Sequence, residues 1–133
     1  MSRYLLDSSF VIDFLNEMAR GEIGPARTWQ QGNPNPNFWI SPVTYAEVLE
    51  GADDPASIAK IFKAFRWQVI GQRHAERAAW LQRRSSRRLG ENDAWQVAVA
   101  ELMDASIVGH DPKAFGRLGH RYIDHRGKKR TTG

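Results

Sequence analysis

Four carboxylates in this chain stand where an acid can do chemistry as well as solubilise a surface. Asp7 closes the apolar run Tyr4-Leu5-Leu6, and Asp111 follows Ser106-Ile107-Val108-Gly109-His110. Glu47 lies within the first two turns of a segment opened by Ser41-Pro42, just after Phe38-Trp39-Ile40. Asp93 begins a stretch that is otherwise apolar nearly all round: Ala94, Trp95, Val97, Ala98, Val99, Ala100, Leu102. In an open parallel sheet the carboxyl ends of the strands and the starts of the following helices share one edge, and the ligand crevice lies there. Four ionised carboxylates meeting at that edge repel and raise one another's pKa unless cations balance them. Oxygen-only donors in a chain with no cysteine suit a hard ion, Mg²⁺ or Mn²⁺, and not zinc.

Each acid also has a plainer role open to it. Asp7 could cap the helix that follows, helped by Ser8 or Ser9. Glu47 could complete a capping box with Thr44. Asp93 could be a first-turn acid answering the helix dipole, and Asp111, before Pro112, a turn or N-cap residue. All four plain roles falling at the same edge of one sheet is the weaker account.

The elements that must position these acids follow from periodicity and breakers. Phe10, Val11, Phe14 and Leu15 recur at helical spacing, giving a helix from about Ser9 to Met18 that ends near Gly21. A short helix over Ala26–Gln31 precedes the Asn33-Pro34-Asn35-Pro36-Asn37 loop. Strands are expected at 38–40, 67–70, 106–109 and 122–123, besides the run before Asp7. Ser41-Pro42 opens one helix, Asp53-Asp54-Pro55 another over about Ala56–Ala64, and a long helix runs from about Gln72 to Leu89. Its polar side carries Arg73, Arg77, Arg83, Arg84, Arg87 and Arg88. Asn92-Asp93 begins the apolar helix through Met103, whose all-round apolarity marks it as buried. Strands alternating with helices predict an α/β fold: a three-layer α/β/α sandwich around a mainly parallel sheet of about five strands.

Composition bounds the rest. At 133 residues the chain fits one domain, here 1–125, with 126–133 as a basic, disordered tail. The absence of cysteine excludes disulfides and thiolate zinc, and accords with a reducing cytoplasm. No apolar run approaches the roughly 18 residues of a membrane span, and Asp7 interrupts the start too early for a signal peptide. The net charge of +4 admits a polyanionic partner.

Over roughly residues 3–125 the chain resembles the PIN domain family, and more narrowly the toxin nuclease of VapBC-type toxin–antitoxin pairs. The resemblance rests on Leu5-Leu6-Asp7-Ser8-Ser9-Phe10-Val11-Ile12, on Asn92-Asp93-Ala94-Trp95, and on Ile107-Val108-Gly109-His110-Asp111-Pro112-Lys113-Ala114-Phe115. Its most specific part is Ile40-Ser41-Pro42-Val43-Thr44-Tyr45-Ala46-Glu47-Val48-Leu49-Glu50-Gly51. It implies that Asp7, Glu47, Asp93 and Asp111 are the metal-binding and catalytic acids of a ribonuclease using Mg²⁺ or Mn²⁺, with Ser9 supporting the first. It also implies an RNA substrate, a VapB-type antitoxin partner and a homodimer, while the lack of a long apolar run implies no membrane. Two positions depart from the pattern: Gly109 replaces a usual Thr or Ser, and Gln96 a usual aliphatic residue.

The chemistry so implied is hydrolysis by a metal-activated water at the scissile phosphate, without a histidine or serine nucleophile. His110, beside Asp111, is expected to be structural or exposed. Arg73, Arg77, Arg84 and Arg88 are the candidate RNA contacts on the arginine-rich helix, which could equally be a solvated face. Two other classes remain in view. A Mg-binding phosphoacceptor signalling domain would want adjacent acids after the first strand and a lysine after the last, which Asp7-Ser8 and Lys113 supply in poor register. A non-catalytic interaction module would use the acids only to bind a basic partner.

Overall fold

The structure is a computed structural model that describes residues 3–33 and 37–127. Most of the expected tail (128–133) and the middle of the Asn/Pro loop (34–36) lie outside the described residues. In chain order the elements are β1 Arg3–Leu6, α1 Ser8–Arg20, α2 Pro25–Gly32, β2 Phe38–Ile40, α3 Pro42–Glu50, α4 Pro55–Phe62 and β3 Arg66–Trp67. There follow α5 Gln72–Arg84, α6 Glu91–Leu102, β4 Ala105–Gly109, α7 Pro112–Phe115, a 3-10 helix Gly116–Arg121 and β5 Tyr122–Asp124.

Capping explains most of these boundaries. The Asp7, Ser41, Asp54 and Asp111 side chains accept from the backbone N–H of Ser9, Thr44, Ser57 and Ala114, and so cap α1, α3, α4 and α7. Proline occupies the first turn of α2, α3, α4 and α7, where its missing N–H costs nothing. Gly21 ends α1 with φ 65°, the left-handed conformation in which its N–H reaches back to the Met18 carbonyl.

Two expected elements are shorter than their periodicity suggested. The third strand stops at Trp67: Gln68 N–H still donates to the Ile40 carbonyl, but Val69 is 71% exposed and lies outside the ladder. The arginine-rich helix stops at Arg84, not Leu89. Beyond it the Ser85 hydroxyl donates to the Leu81 carbonyl, and the Gln82 carboxamide pairs with both the N–H and the carbonyl of Leu89 at 2.9 Å. A side chain that satisfies both backbone groups of Leu89 removes the need for helical bonds there.

All five strands are parallel, in the order β3-β2-β1-β4-β5. The expected fold class is therefore borne out. Alternation along the strands splits the core in two. Leu6, Ile40 and Val108 pack with Phe10, Ala26, Val48 and Phe62 from α1–α4 on one face. Leu5 and Ile107 pack with Val97, Val99 and Phe115 from α6 and α7 on the other. β1 is central, and the chain leaves it toward β2 and β3 before returning to build β4 on its other side. That reversal makes the β1/β4 boundary the point where a crevice opens.

Candidate active site

At the β1/β4 boundary the backbone itself fixes the first acid. Asp7 N–H extends the ladder by donating to the Val108 carbonyl at 2.9 Å, and the residue is 7% exposed. Ser9 Oγ donates to Asp7 Oδ2 at 2.8 Å and accepts from His110 N–H at 2.8 Å. One hydroxyl thus ties the end of β1 to the end of β4. Gly109 makes this possible: a Cβ there would lie 2.7 Å from Ser9 Oγ and 2.8 Å from Asp7 Cβ. The departure at Gly109 is no lost hydroxyl, since the space a side chain would need is filled by Ser9.

Gln96 has an equally local reason. It is 1% exposed, accepts from Ser41 Oγ at 2.7 Å and donates to Thr44 Oγ1 at 2.7 Å. Thr44 in turn donates to the Leu6 carbonyl at 2.8 Å. This buried chain joins α6 to α3 and both to β1, and each polar atom named finds a partner, as burial requires. Because Ser41 is the N-cap and Thr44 lies inside α3 with its hydroxyl held between Leu6 and Gln96, Thr44 forms no capping box with Glu47. Glu47 Oε2 instead accepts from Asn92 Nδ2 at 3.4 Å. Asp93 lies in the first turn of α6, its carboxylate so close to Gly90 that a Cβ there would come within 2.6 Å. Asp111 N–H donates to the Tyr122 hydroxyl at 3.1 Å, while its own Oδ1 caps α7 at 3.2 Å from Ala114 N.

Electrostatics join the four acids. Burial holds the Asp7 carboxyl above its ordinary pKa against the bonds from Ser9, and the Asp111 charge adds to the rise. Glu47 is raised by burial, then by the Asp7 and Asp93 charges, with Asn92 opposing. Asp93 is raised by burial, then by Asp111 and Asp7. Tyr122 is raised by burial and feels Asp124, Asp111 and Asp7. The capping roles of Asp7 and Asp111 and the first-turn role of Asp93 are therefore real, yet all four acids also lie within one shared field.

The donor set is all oxygen and its mutual repulsion calls for a cation, so its chemistry fits Mg²⁺ or Mn²⁺. Among the described residues no three acidic or histidine side chains stand together as a finished ligand set. Acids already engaged with caps and with Asn92 must turn inward to share an ion.

The sequence missed several partners. His110 Nδ1 meets both oxygens of Asp124, at 2.9 and 3.1 Å, and Asn92 was passed over beside the more conspicuous Asp93. The candidate RNA contacts divide. Arg88 borders a cleft with Asp93 and Asp111. Arg73 lies near Arg3 and Met103, at the amino ends of the strands. Arg77 pairs with Glu101 and stacks on Trp80, whose ring Arg84 also covers at 4.8 Å.

The family model of the PIN domain matches residues 4–120. No curated protein matches the sequence. Among solved structures, a toxin–antitoxin complex from Klebsiella pneumoniae is similar at 22% identity and TM-score 0.77, over 92% of this chain and 97% of that one. VapBC-1 from nontypeable Haemophilus influenzae is similar at 20% identity and TM-score 0.69, over 93% and 98%. The sarcin–ricin-loop-cleaving toxin VapC20 of Mycobacterium tuberculosis gives 21% identity and TM-score 0.61, over 87% and 95%. At these identities the likeness is one of fold.

Proposed function

The chain belongs to the PIN domain family, and on that premise we propose that it is a metal-dependent endoribonuclease, the toxin half of a VapBC-type pair. The nuclease is a single domain over residues 1–125, acting in the cytoplasm beside a VapB-type antitoxin. No helix among the described residues is long and apolar enough to cross a membrane. What carries the reading is the shared field of four carboxylates at the β1/β4 boundary, three of them raised by burial and by one another. Two proteins of the same fold supply the rest: the Klebsiella one occurs in a toxin–antitoxin complex, and the Mycobacterium one cleaves the sarcin–ricin loop.

Asp7, Glu47, Asp93 and Asp111 would hold Mg²⁺ or Mn²⁺ through oxygen alone. When bound, the ion supplies Lewis acidity toward the scissile phosphate and a lowered pKa for the attacking water. The chain's own part is orientation. Ser9 holds the Asp7 carboxylate, Asn92 bonds Glu47, and the Gln96–Thr44 chain ties the middle of α6 and the first turn of α3 to the end of β1.

Single substitutions Asp7→Asn, Glu47→Gln, Asp93→Asn and Asp111→Asn should each lower EDTA-sensitive RNA cleavage by about 10²-fold or more. Pairs should cost little more than singles, because the acids act as a unit. Glu50→Gln, one turn from Glu47 and exposed, should cleave almost as the parent does. Unimpaired cleavage by Glu47→Gln would overturn the assignment.

A further inference from the structure

We infer that the cleft between residues 85–90 and α7 is the seat of the phosphate backbone of single-stranded RNA. It has a volume of about 590 Å³ and is bordered by Arg87, Arg88, Lys113 and Arg117 together with Asp93 and Asp111. The occupant rests on the nuclease reading; the cleft's preference for a polyanion rests on its own charges.

Those charges are unspent. Arg87, Arg88, Lys113 and Arg117 are all exposed, and among the described residues none makes an ion pair. Three other arginines make ion pairs, Arg77 with Glu101, Arg121 with Asp104 and Arg126 with Asp13. Arg73 and Arg83 of α5 make none among the described residues, so what sets the cleft cations apart is their shared place beside the acids. Four free cations therefore share one cleft with two acids of the candidate active site. An acid edge alone would repel a phosphate chain, and this rim offsets that repulsion where the chain must approach. Unpaired cations that follow a groove bind nucleic acid through its phosphates, with little regard to base sequence.

The rim is also held in place. Gln82 bonds both backbone groups of Leu89 at 2.9 Å, anchoring the segment that carries Arg87 and Arg88. The Asp111 cap and the Tyr122 hydroxyl anchor the start of α7, which carries Lys113. By contrast Arg73 sits at the amino ends of the strands, away from the acids. Substrate is thus gripped where the arginine-rich helix has ended, not along its face.

The test is binding of a fluorescein-labelled single-stranded oligoribonucleotide to the full chain in EDTA, read by anisotropy between roughly 50 and 200 mM salt. The double variants Arg87→Gln/Arg88→Gln and Lys113→Gln/Arg117→Gln should each weaken binding about tenfold or more. Each should also flatten the salt dependence by roughly 0.7 per phosphate contact removed. Arg73→Gln/Arg83→Gln removes the same charge from α5 and should change binding less than about threefold. If that control loses as much as the cleft variants, the effect is net charge and the inference fails. It fails too if the cleft variants bind RNA as the parent does but no longer hold an acidic protein partner. Because all these side chains are exposed, their melting temperatures should match the parent, and either cleft variant alone decides the matter. Binding is read without metal or turnover. A protein that cleaves nothing yet loses binding in the cleft variants therefore keeps this inference and drops the nuclease reading, and cleavage with unaltered binding does the reverse.

Discussion

The tightest residue-scale constraint is the meeting of Ser9, Asp7 and Gly109. Restoring a hydroxyl side chain at 109 does not improve the site, because its Cβ would enter space held by Ser9 Oγ at 2.7 Å and Asp7 Cβ at 2.8 Å. Gly109→Ser should destabilise the fold by about 1–3 kcal/mol, as overpacking does, and reduce cleavage. Adding Ser9→Ala should recover part of both losses, and simple additivity in chemical denaturation would refute the clash. The raised acids make a second prediction at this scale. A carboxyl whose pKa is raised in the fold contributes stability that is present below its unfolded pKa and lost as pH rises through the folded value. At neutral pH in EDTA, Asp7→Asn should accordingly melt a few degrees above the parent, with the gap closing as pH falls toward about 4. Asp13 runs the other way: despite its burial, the bonds from Arg126 and His125 lower its pKa, so its contribution is lost only on acidification. It is common to both proteins and cancels in the comparison. Mn²⁺ at 100 times its Kd should stabilise the parent by about 2.7 kcal/mol, and Asp7→Asn should lose most of that shift. An equal metal response in both would remove Asp7 from the site.

Among the elements, the packing of α2 on α1 depends on one buried acid. Glu17 is 8% exposed and its carboxylate accepts the N–H groups of Gly24, Ala26 and Arg27, each at 2.9 Å. It therefore supplies the cap that Gly24 lacks at the start of α2. Glu17→Ala should cost about 2–3 kcal/mol, the scale of bonds to a charged group. Gly24→Ala should be destabilising too, since its Cβ would fall 2.7 Å from Glu17 Cδ. Denaturant midpoints near the parent value for both would contradict this account. Nothing local announced Glu17, whose partners lie seven to ten residues away across a turn. What was legible had local causes: Ser41-Pro42, Asp54-Pro55 and Asp111-Pro112 each announced a helix start, and the all-round apolarity of α6 announced its burial. The arginine-rich helix was overrun by five residues because Gln82 ends it through a side chain, which periodicity does not register. The four acids stand out in the sequence because Asp7 and Asp111 lie just beyond strands, and Glu47 and Asp93 within the first two turns of helices. Their rim of unpaired cations was not, since Lys113 and Arg117 come to face Arg87 and Arg88 only through the tertiary fold.

For the molecule as a whole, the VapBC resemblance predicts a homodimer that carries a small antitoxin. Trp67 and Trp80 remain 39% and 42% exposed, and aromatic side chains are enriched at protein interfaces. Light scattering at micromolar concentration should report a dimer, and purification from the native host should bring a small second protein; a lone monomer would count against both. One further property follows from the position of β1 at the centre of the sheet. β1 is made first, yet the Ser9 hydroxyl waits for His110, 101 residues on, and Asp13 for His125, 112 residues on. Contacts so distant along the chain form late and slow the search for the native state. Asp7 thus leaves the ribosome long before Asp111 exists to complete its surroundings. On the proposed assignment, a polypeptide with its acids so divided is inert through most of its own synthesis, because no N-terminal fragment that stops short of Asp111 contains all four.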